Sequence, residues 1–282
     1  MATQGLTDQG TGKYAQAGTY KVYYNDAGKG DTVVMLHGGG PGASGWSNYS
    51  RNIGHFAAKR RVILLDCPGF GRSDTVTDYD TPRDIINAQA VKDLIDHLGI
   101  DKVTLVGNSM GGATSMRFAL EWPERVRKLV LMGAAGGGVS IFQPLPLEGI
   151  KHLIGLYRNP TLEGLKRMIE IFVYDPSAVT DDLIQGRFNA MMANKAHLES
   201  FAKTASRPER LITDFSPHLH RIVAPTLVTW GRDDRFVPLD HGLKLLWHLP
   251  DAQLHVFNKC GHWAQWEHAD RFNRLVDDFL SH

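Results

Sequence analysis

The stretch TLVGNSMGGA, residues 104–113, constrains the fold more than any other part of the chain. Residues 107–111 have the spacing Gly-x-Ser-x-Gly and stand directly between an apolar strand pattern and a helical pattern. A strand that turns sharply into a helix crowds the backbone at the serine, and glycines two residues to either side relieve the crowding. The stretch therefore predicts a tight turn that presents Ser109 as a nucleophile.

Short apolar runs alternate with helical patterns on both sides of this turn. Strand patterns cover residues 19–24, 32–36, 61–66, 103–106, 128–132, 225–230 and 253–257. Helical patterns cover residues 85–98, 110–122 and 269–280. Strands separated by helices form a mostly parallel sheet with helices on both faces, so we expect an α/β fold.

The strand patterns stop between residues 142 and 210, where only helical patterns remain. Packed helices need no function, but an all-helical insertion between two halves of a sheet can also cover a site at the strand ends. We expect residues 19–141 and 211–282 to form the core, and residues 142–210 to form a lid. The Thr-, Gln- and Gly-rich residues 1–18 are expected to be a flexible tail.

Charge and composition narrow the class of ligand. Thirty-one basic and thirty acidic residues leave a formal charge of +1, which offers no field for nucleic acid or an anionic membrane. The apolar runs are too short to cross a bilayer, and the first residues do not resemble a signal peptide. Two cysteines, Cys67 and Cys260, form no disulfide framework and no zinc-like cluster. We expect a cytoplasmic protein that binds a small molecule without a metal or cofactor.

A serine hydroxyl needs a base, and the base needs an acid to orient it. Asp233 and Asp234 follow the strand pattern at 225–230, and His262 follows the last strand pattern in a loop. An acid and a histidine that follow the serine in this order suit a strand-to-helix nucleophile turn. We assign Asp234 and His262 as the partners of Ser109, with Asp233 as the alternative acid. Cys260 is interpreted as a buried thiol.

The glycine run LHGGGPG, residues 36–42, predicts an oxyanion hole, because glycines leave backbone N–H groups uncovered. We assign the donors to the N–H groups of Gly39 and Met110, with Gly40 close by. A phosphate-binding loop needs a different glycine spacing. Asn48, Asn108, Arg187 and Trp263 could add polar groups to the same pocket, although an arginine is exposed by default.

Five strings carry a family resemblance: HGGGPGASGWSNY, GNSMGGATSMRFAL, VYDPSAVTDDLIQGRF, WGRDDRFVPLDHGLKLLW and CGHWAQWEHADRFNRLV. From about Tyr20 to the C-terminus the chain resembles the meta-cleavage product hydrolases, which cleave carbon–carbon bonds in aromatic degradation and have the α/β-hydrolase fold. It is most similar to the biphenyl-pathway branch, which acts on 2-hydroxy-6-oxo-6-phenylhexa-2,4-dienoate. The resemblance implies a triad of Ser109, Asp234 and His262. It implies substrate-binding positions at Gly39, Gly40, Asn48, Asn108, Ser177, Arg187 and Trp263.

The resemblance also implies how the substrate lies and reacts. The dienoate end would meet Asn108, Arg187 and Trp263, and the 6-substituent would lie among Ile150, Leu153, Phe172 and Phe236. Ketonisation would precede attack on the C6 carbonyl, either by Ser109 or by a water molecule that Ser109 activates. Relatives form dimers and larger assemblies, so a homo-oligomer is expected. A carboxylesterase or a proline-iminopeptidase-like enzyme remains the alternative, because HGGGPG also resembles the glycine-proline loop of those peptidases.

Overall fold

A computed structural model describes residues 5–141, 147–207 and 211–282. Within these ranges the strands form one sheet in the order β1-β2-β4-β3-β5-β6-β7-β8. The strands are β1 (Gly12–Ala17), β2 (Tyr20–Ala27), β3 (Thr32–Leu36), β4 (Arg61–Leu65), β5 (Val103–Asn108), β6 (Val126–Met132), β7 (Thr226–Gly231) and β8 (Ala252–Phe257). The pairs β1–β2 and β2–β4 are antiparallel and the remaining pairs are parallel. The predicted α/β class is confirmed.

Some helices pack on the two faces of this sheet, and others form an insertion at one edge of it. The helices are α1 (Asp8–Thr11), α2 (Gly45–Tyr49), α3 (Ile53–Ala57), α4 (Arg83–His97), α5 (Met110–Glu121), α6 (Glu148–Arg158), α7 (Leu162–Phe172), α8 (Asp181–Ala193), α9 (Lys195–Ala205), α10 (Leu239–His248), α11 (Ala264–Glu267) and α12 (Ala269–Ser281). Along β3, Val34 and Leu36 belong to one buried cluster, and Val33 and Met35 belong to another. Residues 33–36 of this strand are all apolar, as expected for a strand that is buried on both faces. No helix of the described ranges combines the length and apolarity that crossing a bilayer requires.

Helices α6 to α9, called the helical insertion below, lie between β6 and β7 in the chain. The described residues between these two strands contain no strand, in agreement with the sequence pattern. The predicted limits at residues 142 and 210 fall outside the described residues. The insertion meets the core at the carboxyl ends of the strands, where the Phe172 carbonyl accepts a hydrogen bond from the His262 N–H at 2.6 Å.

The flexible tail predicted for residues 1–18 is wrong for residues 8–17. Residues 8–11 form α1, and Gly12–Ala17 pairs along its length with β2. The strand escaped detection because its buried face carries only Ala15 and Ala17, whereas Lys13, Tyr14 and Gln16 give it a polar appearance. Two buried alanines on one face of the strand produce no apolar run in the sequence. The strand is ordered by its pairing with β2 instead.

Candidate active site

Ser109 occupies the sharp turn between β5 and α5. Its backbone has φ 53° and ψ −112°, a left-handed conformation that is costly for a residue with a side chain. The turn brings backbone segments so close that a Cβ on Gly107 would clash with the Gly111 carbonyl, and a Cβ on Gly111 would clash with that of Leu36. Both positions of the motif therefore require glycine, because neighbouring backbone leaves no room for a side chain. The strain is retained where it exposes the serine hydroxyl at the end of the strand.

Asp234 and His262 form a buried pair beside this turn. His262 Nδ1 lies 2.6 Å from Asp234 Oδ2, and the side chains are 1% and 0% exposed. The second carboxylate oxygen accepts the N–H groups of Phe236 and Val237, at 2.8 and 3.0 Å. These bonds leave the carboxylate one orientation, which fixes the imidazole with Nδ1 as donor. Asp233 instead contacts Arg232 and the Cys260 N–H.

His262 Nε2 is buried and has no hydrogen-bond partner in the described structure. Ser109 and His262 line the same cavity, but the hydroxyl–imidazole hydrogen bond is not formed. Hydrogen bonds of this kind are often long in the unliganded state and tighten when substrate arrives. The unpaired Nε2 is thus the ring atom available to take the Ser109 proton.

The glycine loop lies against the turn. A Cβ built on Gly38 would be 3.4 Å from the Ser109 Cβ, and one on Gly39 would be 3.5 Å from the Met110 sulfur. Met110 is the first residue of α5, so its N–H has no acceptor within the helix. The structure therefore brings the backbone of Gly39 and the start of α5 to the same side of Ser109, as an oxyanion hole requires.

The cavity between core and helical insertion is narrow, because the centre of a water molecule can occupy only about 20 Å³ of it. The polar groups of its lining come from four residues, called the polar end below: Asn48, Asn108, Arg187 and Trp263. The Asn108 amide donates to the carbonyls of Met132 and His262, at 3.2 and 3.3 Å, while its oxygen has no partner among the described residues. The Asn48 amide nitrogen is also buried without a partner in the described structure.

Arg187 projects from α8 into this polar end and is only 4% exposed. Its guanidinium lies 4.8 Å from the Trp263 ring centroid, and its Nε has no hydrogen-bond partner among the described residues. Burial lowers the pKa of Arg187 to about 10, with a smaller opposing effect of Tyr157. The side chain remains a cation at neutral pH, and no carboxylate of the described residues pairs with it. A buried cation of this kind is suited to an anionic ligand.

The large apolar side chains of the lining come from four other residues, called the apolar end below: Ile150, Leu153, Phe172 and Phe236. Phe172 stacks on Phe236 with ring centroids 3.9 Å apart, and it stacks on Trp263 at 4.7 Å. Gly261 permits this approach, because a Cβ there would clash with the Phe172 carbonyl. The insertion thus contributes an aromatic side chain to the cavity lining, directly beside the loop that carries His262, called the histidine loop below.

The structure does not bring Ser177 to the cavity. Ser177 is exposed on the turn Pro176–Ala178, where its N–H donates to the Asp175 side chain at 2.9 Å. The assignment from resemblance is corrected accordingly, and Ser177 is no part of the site proposed below. Cys260 is fully buried, and burial together with the nearby Glu267 raises its thiol pKa, so it is not a thiolate nucleophile.

A larger, more open cleft lies on the far side of the glycine loop, between residues 66–75 and the end of α8. Asp66, Arg72 and His197 contribute polar groups to its lining. It does not reach Ser109 or His262, so the smaller cavity is the candidate active site. Groups of three or more His, Cys, Asp or Glu residues arranged to hold a metal ion are not found in the described ranges.

Two positioning residues have no signature in the sequence. The Glu267 carboxylate accepts the N–H groups of Gly261 and Tyr174, at 2.9 and 2.7 Å, and so ties the histidine loop to the insertion. The Tyr157 hydroxyl donates to the Gly39 carbonyl at 2.7 Å. An acidic residue five positions after His262 is a weak signal, and a tyrosine on a helix is none.

Comparison with known proteins places this geometry in a family. A family model described as the alpha/beta hydrolase fold matches residues 31–269. The chain is 59% identical over 263 residues to the 2-hydroxy-6-oxo-6-phenylhexa-2,4-dienoate hydrolase of Burkholderia cepacia, a match that covers 93% of this chain and 92% of that protein. The chain belongs to the meta-cleavage product hydrolases. It is thus a carbon–carbon bond hydrolase of the α/β-hydrolase fold.

Other meta-cleavage product hydrolases differ in the substrate that their names give. A 2-hydroxy-6-oxononadienedioate/2-hydroxy-6-oxononatrienedioate hydrolase of Comamonas testosteroni is 57% identical over 263 residues, covering 93% of this chain and 92% of that protein. The solved 2-hydroxy-6-oxo-6-phenylhexa-2,4-dienoate hydrolase from Rhodococcus sp. strain RHA1 matches with a TM-score of 0.85 and 31% identity, covering 96% of this chain and 98% of that one. Sequence identity therefore shows the family, but it does not distinguish between the substituents at C6. That choice has to be argued from the residues of the site.

Proposed function

We propose that the enzyme hydrolyses the C5–C6 bond of 2-hydroxy-6-oxo-6-phenylhexa-2,4-dienoate or a close 6-substituted analogue. The products are 2-hydroxypenta-2,4-dienoate and a carboxylic acid, which is benzoate for the phenyl substrate. The reaction belongs in the degradation of biphenyl-type aromatic compounds. The observation that carries this proposal is a cavity lining that joins one buried arginine with four large apolar side chains, and we propose that these meet opposite parts of the substrate.

This lining favours a 6-phenyl over a 6-carboxyethyl or carboxyvinyl substituent. The nonadienedioate named for several relatives has a carboxylate at each end, whereas the phenyl dienoate has one. Arg187 can meet one carboxylate at the polar end. A second carboxylate among Ile150, Leu153 and Phe236 would be buried without a cation, which is strongly unfavourable. An aryl ring suits the same walls through stacking and burial.

Ketonisation prepares the bond for cleavage. The dienol has no electron sink next to C5–C6, so the 2-hydroxy group becomes a 2-oxo group while C5 takes up a proton. Arg187 and Asn108 stabilise the negative charge that develops at the dienoate end, and His262 carries the proton. Cleavage then releases the five-carbon fragment as a delocalised dienolate.

Cleavage itself is assigned to Ser109, His262 and Asp234. His262 Nε2 takes the serine proton, Ser109 attacks the C6 carbonyl, and Asp234 stabilises the imidazolium through its 2.6 Å contact. The oxyanion is held by the N–H groups of Gly39 and Met110. Water then releases the acid from the serine. In a second route Ser109 activates a water molecule that attacks the same carbonyl, without an acyl-enzyme.

The iminopeptidase-like alternative lacks support at the cavity. Such an enzyme needs carboxylates for the substrate amine, and the described residues that line the cavity include none. The helical insertion is proposed to act as the lid, because Arg187, Phe172 and Leu153 reach the cavity from it.

Stopped-flow turnover of the purified enzyme tests the proposal. We expect kcat/KM for the 6-phenyl dienoate to exceed that for the nonadienedioate by at least about tenfold, from the cost of one unpaired carboxylate. Equal kcat/KM values for the two substrates would contradict the argument that the apolar end disfavours a second carboxylate. Ser109→Ala should lower kcat by roughly 10³-fold or more. Turnover of that variant at the wild-type rate would refute the nucleophile assignment.

We also propose that the chain forms a homo-oligomer in the cytoplasm. Leu243, Leu246 and Trp247 are exposed on α10, Trp247 by 85%, and together they form an apolar patch on one face. Both cysteines are unpaired, as is usual in a reducing compartment. Sedimentation of wild type and Trp247→Glu should give a dimer or larger species for the first and smaller species for the second. A monomeric wild type would contradict the assignment.

A further inference from the structure

The carbonyls of the glycine loop are held from two different sides. His37 Nδ1 donates to the Gly38 carbonyl at 2.8 Å, and its Nε2 accepts the Cys67 N–H at 3.0 Å. The Gly38 carbonyl is thus held by a side chain that is itself anchored in the core. The next carbonyl, of Gly39, is held by Tyr157 from α6 of the helical insertion at 2.7 Å. The loop is therefore completed by a residue of the proposed lid.

Each bond fixes an N–H as well as a carbonyl. In a trans peptide the C=O and the N–H point in opposite directions within one plane. The bond to the Gly38 carbonyl thereby sets the direction of the Gly39 N–H, and the bond to the Gly39 carbonyl sets that of the Gly40 N–H. Gly39 and Gly40 both line the cavity. Glycines have no side chain to restrict these peptides, so the hydrogen bonds supply the restriction.

We propose that Tyr157 is a positioning residue that fixes a third oxyanion donor, the Gly40 N–H, beside those of Gly39 and Met110. Its hydroxyl holds the Gly39–Gly40 peptide, so that the Gly40 N–H keeps one direction at the cavity. The proposal rests on the proposed function in that Ser109 is taken as the nucleophile. It adds that the lid does more than cover the substrate, because a side chain of the lid also orients a donor for the developing oxyanion.

The surroundings of Tyr157 suit this role. Its ring is 3% exposed and stacks on Phe201 with centroids 4.1 Å apart. Burial raises its pKa well above the ordinary value, so the hydroxyl keeps its proton and donates. His197 Nε2 lies 3.3 Å from the hydroxyl oxygen, and burial lowers the pKa of His197 to about 3. Because the one phenolic proton is used on Gly39, the neutral His197 donates at Nε2 and orients the hydroxyl.

Tyr157→Phe removes this hydrogen bond and keeps the ring stack, and Tyr23→Phe is the matched control. Tyr23 is also buried, and its hydroxyl donates to Asp8 Oδ1 at 2.8 Å, away from the cavity lining. Three readouts apply to both variants: Ser109-dependent hydrolysis of p-nitrophenyl acetate, inhibition by phenylboronic acid, and the separate ketonisation and cleavage rates of the 6-phenyl dienoate. The boronate forms a tetrahedral serine adduct and reports on the oxyanion hole without turnover.

For Tyr157→Phe we expect kcat for ester hydrolysis and for dienoate cleavage to fall about 10- to 100-fold, somewhat less than the loss of a whole oxyanion donor. KM and the ketonisation rate should stay within about twofold, and the phenylboronic acid Ki should rise about tenfold. Tyr23→Phe should change none of these more than about twofold.

A fall in Tm for Tyr157→Phe with unchanged kcat and boronate Ki would show a purely structural role and overturn the proposal. Equal effects of the two variants would do the same. Failure of the proposed function is a separate result, because an enzyme that ignores the dienoate still reports on Tyr157 through the ester and the boronate.

Discussion

The two ends of the cavity differ in how completely their own groups are satisfied. At the polar end, Asn48 Nδ2, Asn108 Oδ1 and Arg187 Nε are buried without a hydrogen-bond partner in the described structure. At the apolar end, Phe172 and Phe236 stack on each other, and the four side chains carry no polar atoms. One end therefore needs a ligand to complete it, and the other is complete already.

This difference indicates how recognition is divided. A buried polar group without a partner costs about 1–3 kcal/mol, more for a charged group, so the polar end lowers the stability of the unliganded protein. A carboxylate and a keto oxygen would satisfy those groups and recover that free energy on binding. The apolar end contributes through shape and stacking, which distinguish substituents less sharply. We expect the polar end to control chemistry and the apolar end to control the choice of substituent.

Replacing the cation should have the largest effect on this contrast. Arg187→Gln keeps a polar side chain but removes the charge, and we expect ketonisation to slow by roughly 10²–10³-fold, about 3–4 kcal/mol. Arg167→Gln, an exposed arginine on α7, is the control and should stay near wild type. Stopped-flow absorbance of the dienoate measures both. Normal ketonisation in Arg187→Gln would show that the polar end does not carry the chemistry.

The pH dependence of ligand binding should separate the two ends. Arg187 has a pKa of about 10, so the free enzyme loses this cation as the pH rises through that value. Affinity for 2-oxopentanoate, an anionic analogue of the dienoate end, should be constant at lower pH and fall by up to about tenfold per pH unit above it. Affinity for neutral acetophenone should not change with this ionisation.

Titration calorimetry at several pH values measures both affinities. The same decline in Arg187→Gln would assign the pH dependence to another group.

A new charge at the apolar end should alter substrate choice by a smaller factor. Ile150→Lys places a flexible cation at a partly buried position of the lining, where its ammonium can meet the second carboxylate of the nonadienedioate. We expect the ratio of kcat/KM for nonadienedioate over phenyl dienoate to rise about tenfold. Ile150→Met, which keeps the lining apolar, is the control. An unchanged ratio would mean that the 6-substituent lies elsewhere.

Local sequence patterns predicted those elements in which the spacing of nearby apolar residues and glycines reflects burial. The Gly-x-Ser-x-Gly turn, the apolar strand β3 and the helix Met110–Glu121 follow from spacing alone, and the fold class was confirmed. Strand Gly12–Ala17 was missed because pairing with β2, rather than an apolar run, orders it. The opposite error occurred at Ser177, which was predicted at the site because it matches a family position. In the structure its side chain lies away from the cavity.

By itself the sequence determined the order of the nucleophile turn, acid and histidine, and it indicated the family from five strings. Only the tertiary structure decided that Arg187 is buried at the cavity, that Asp234 rather than Asp233 contacts His262, and that Tyr157 holds the glycine loop. Tyr157 and Gly39 are 118 residues apart, and no local pattern encodes a contact at that separation. Backbone strain and strand–helix alternation act between neighbours in the chain, whereas the polar and apolar ends arise where the insertion packs on the sheet.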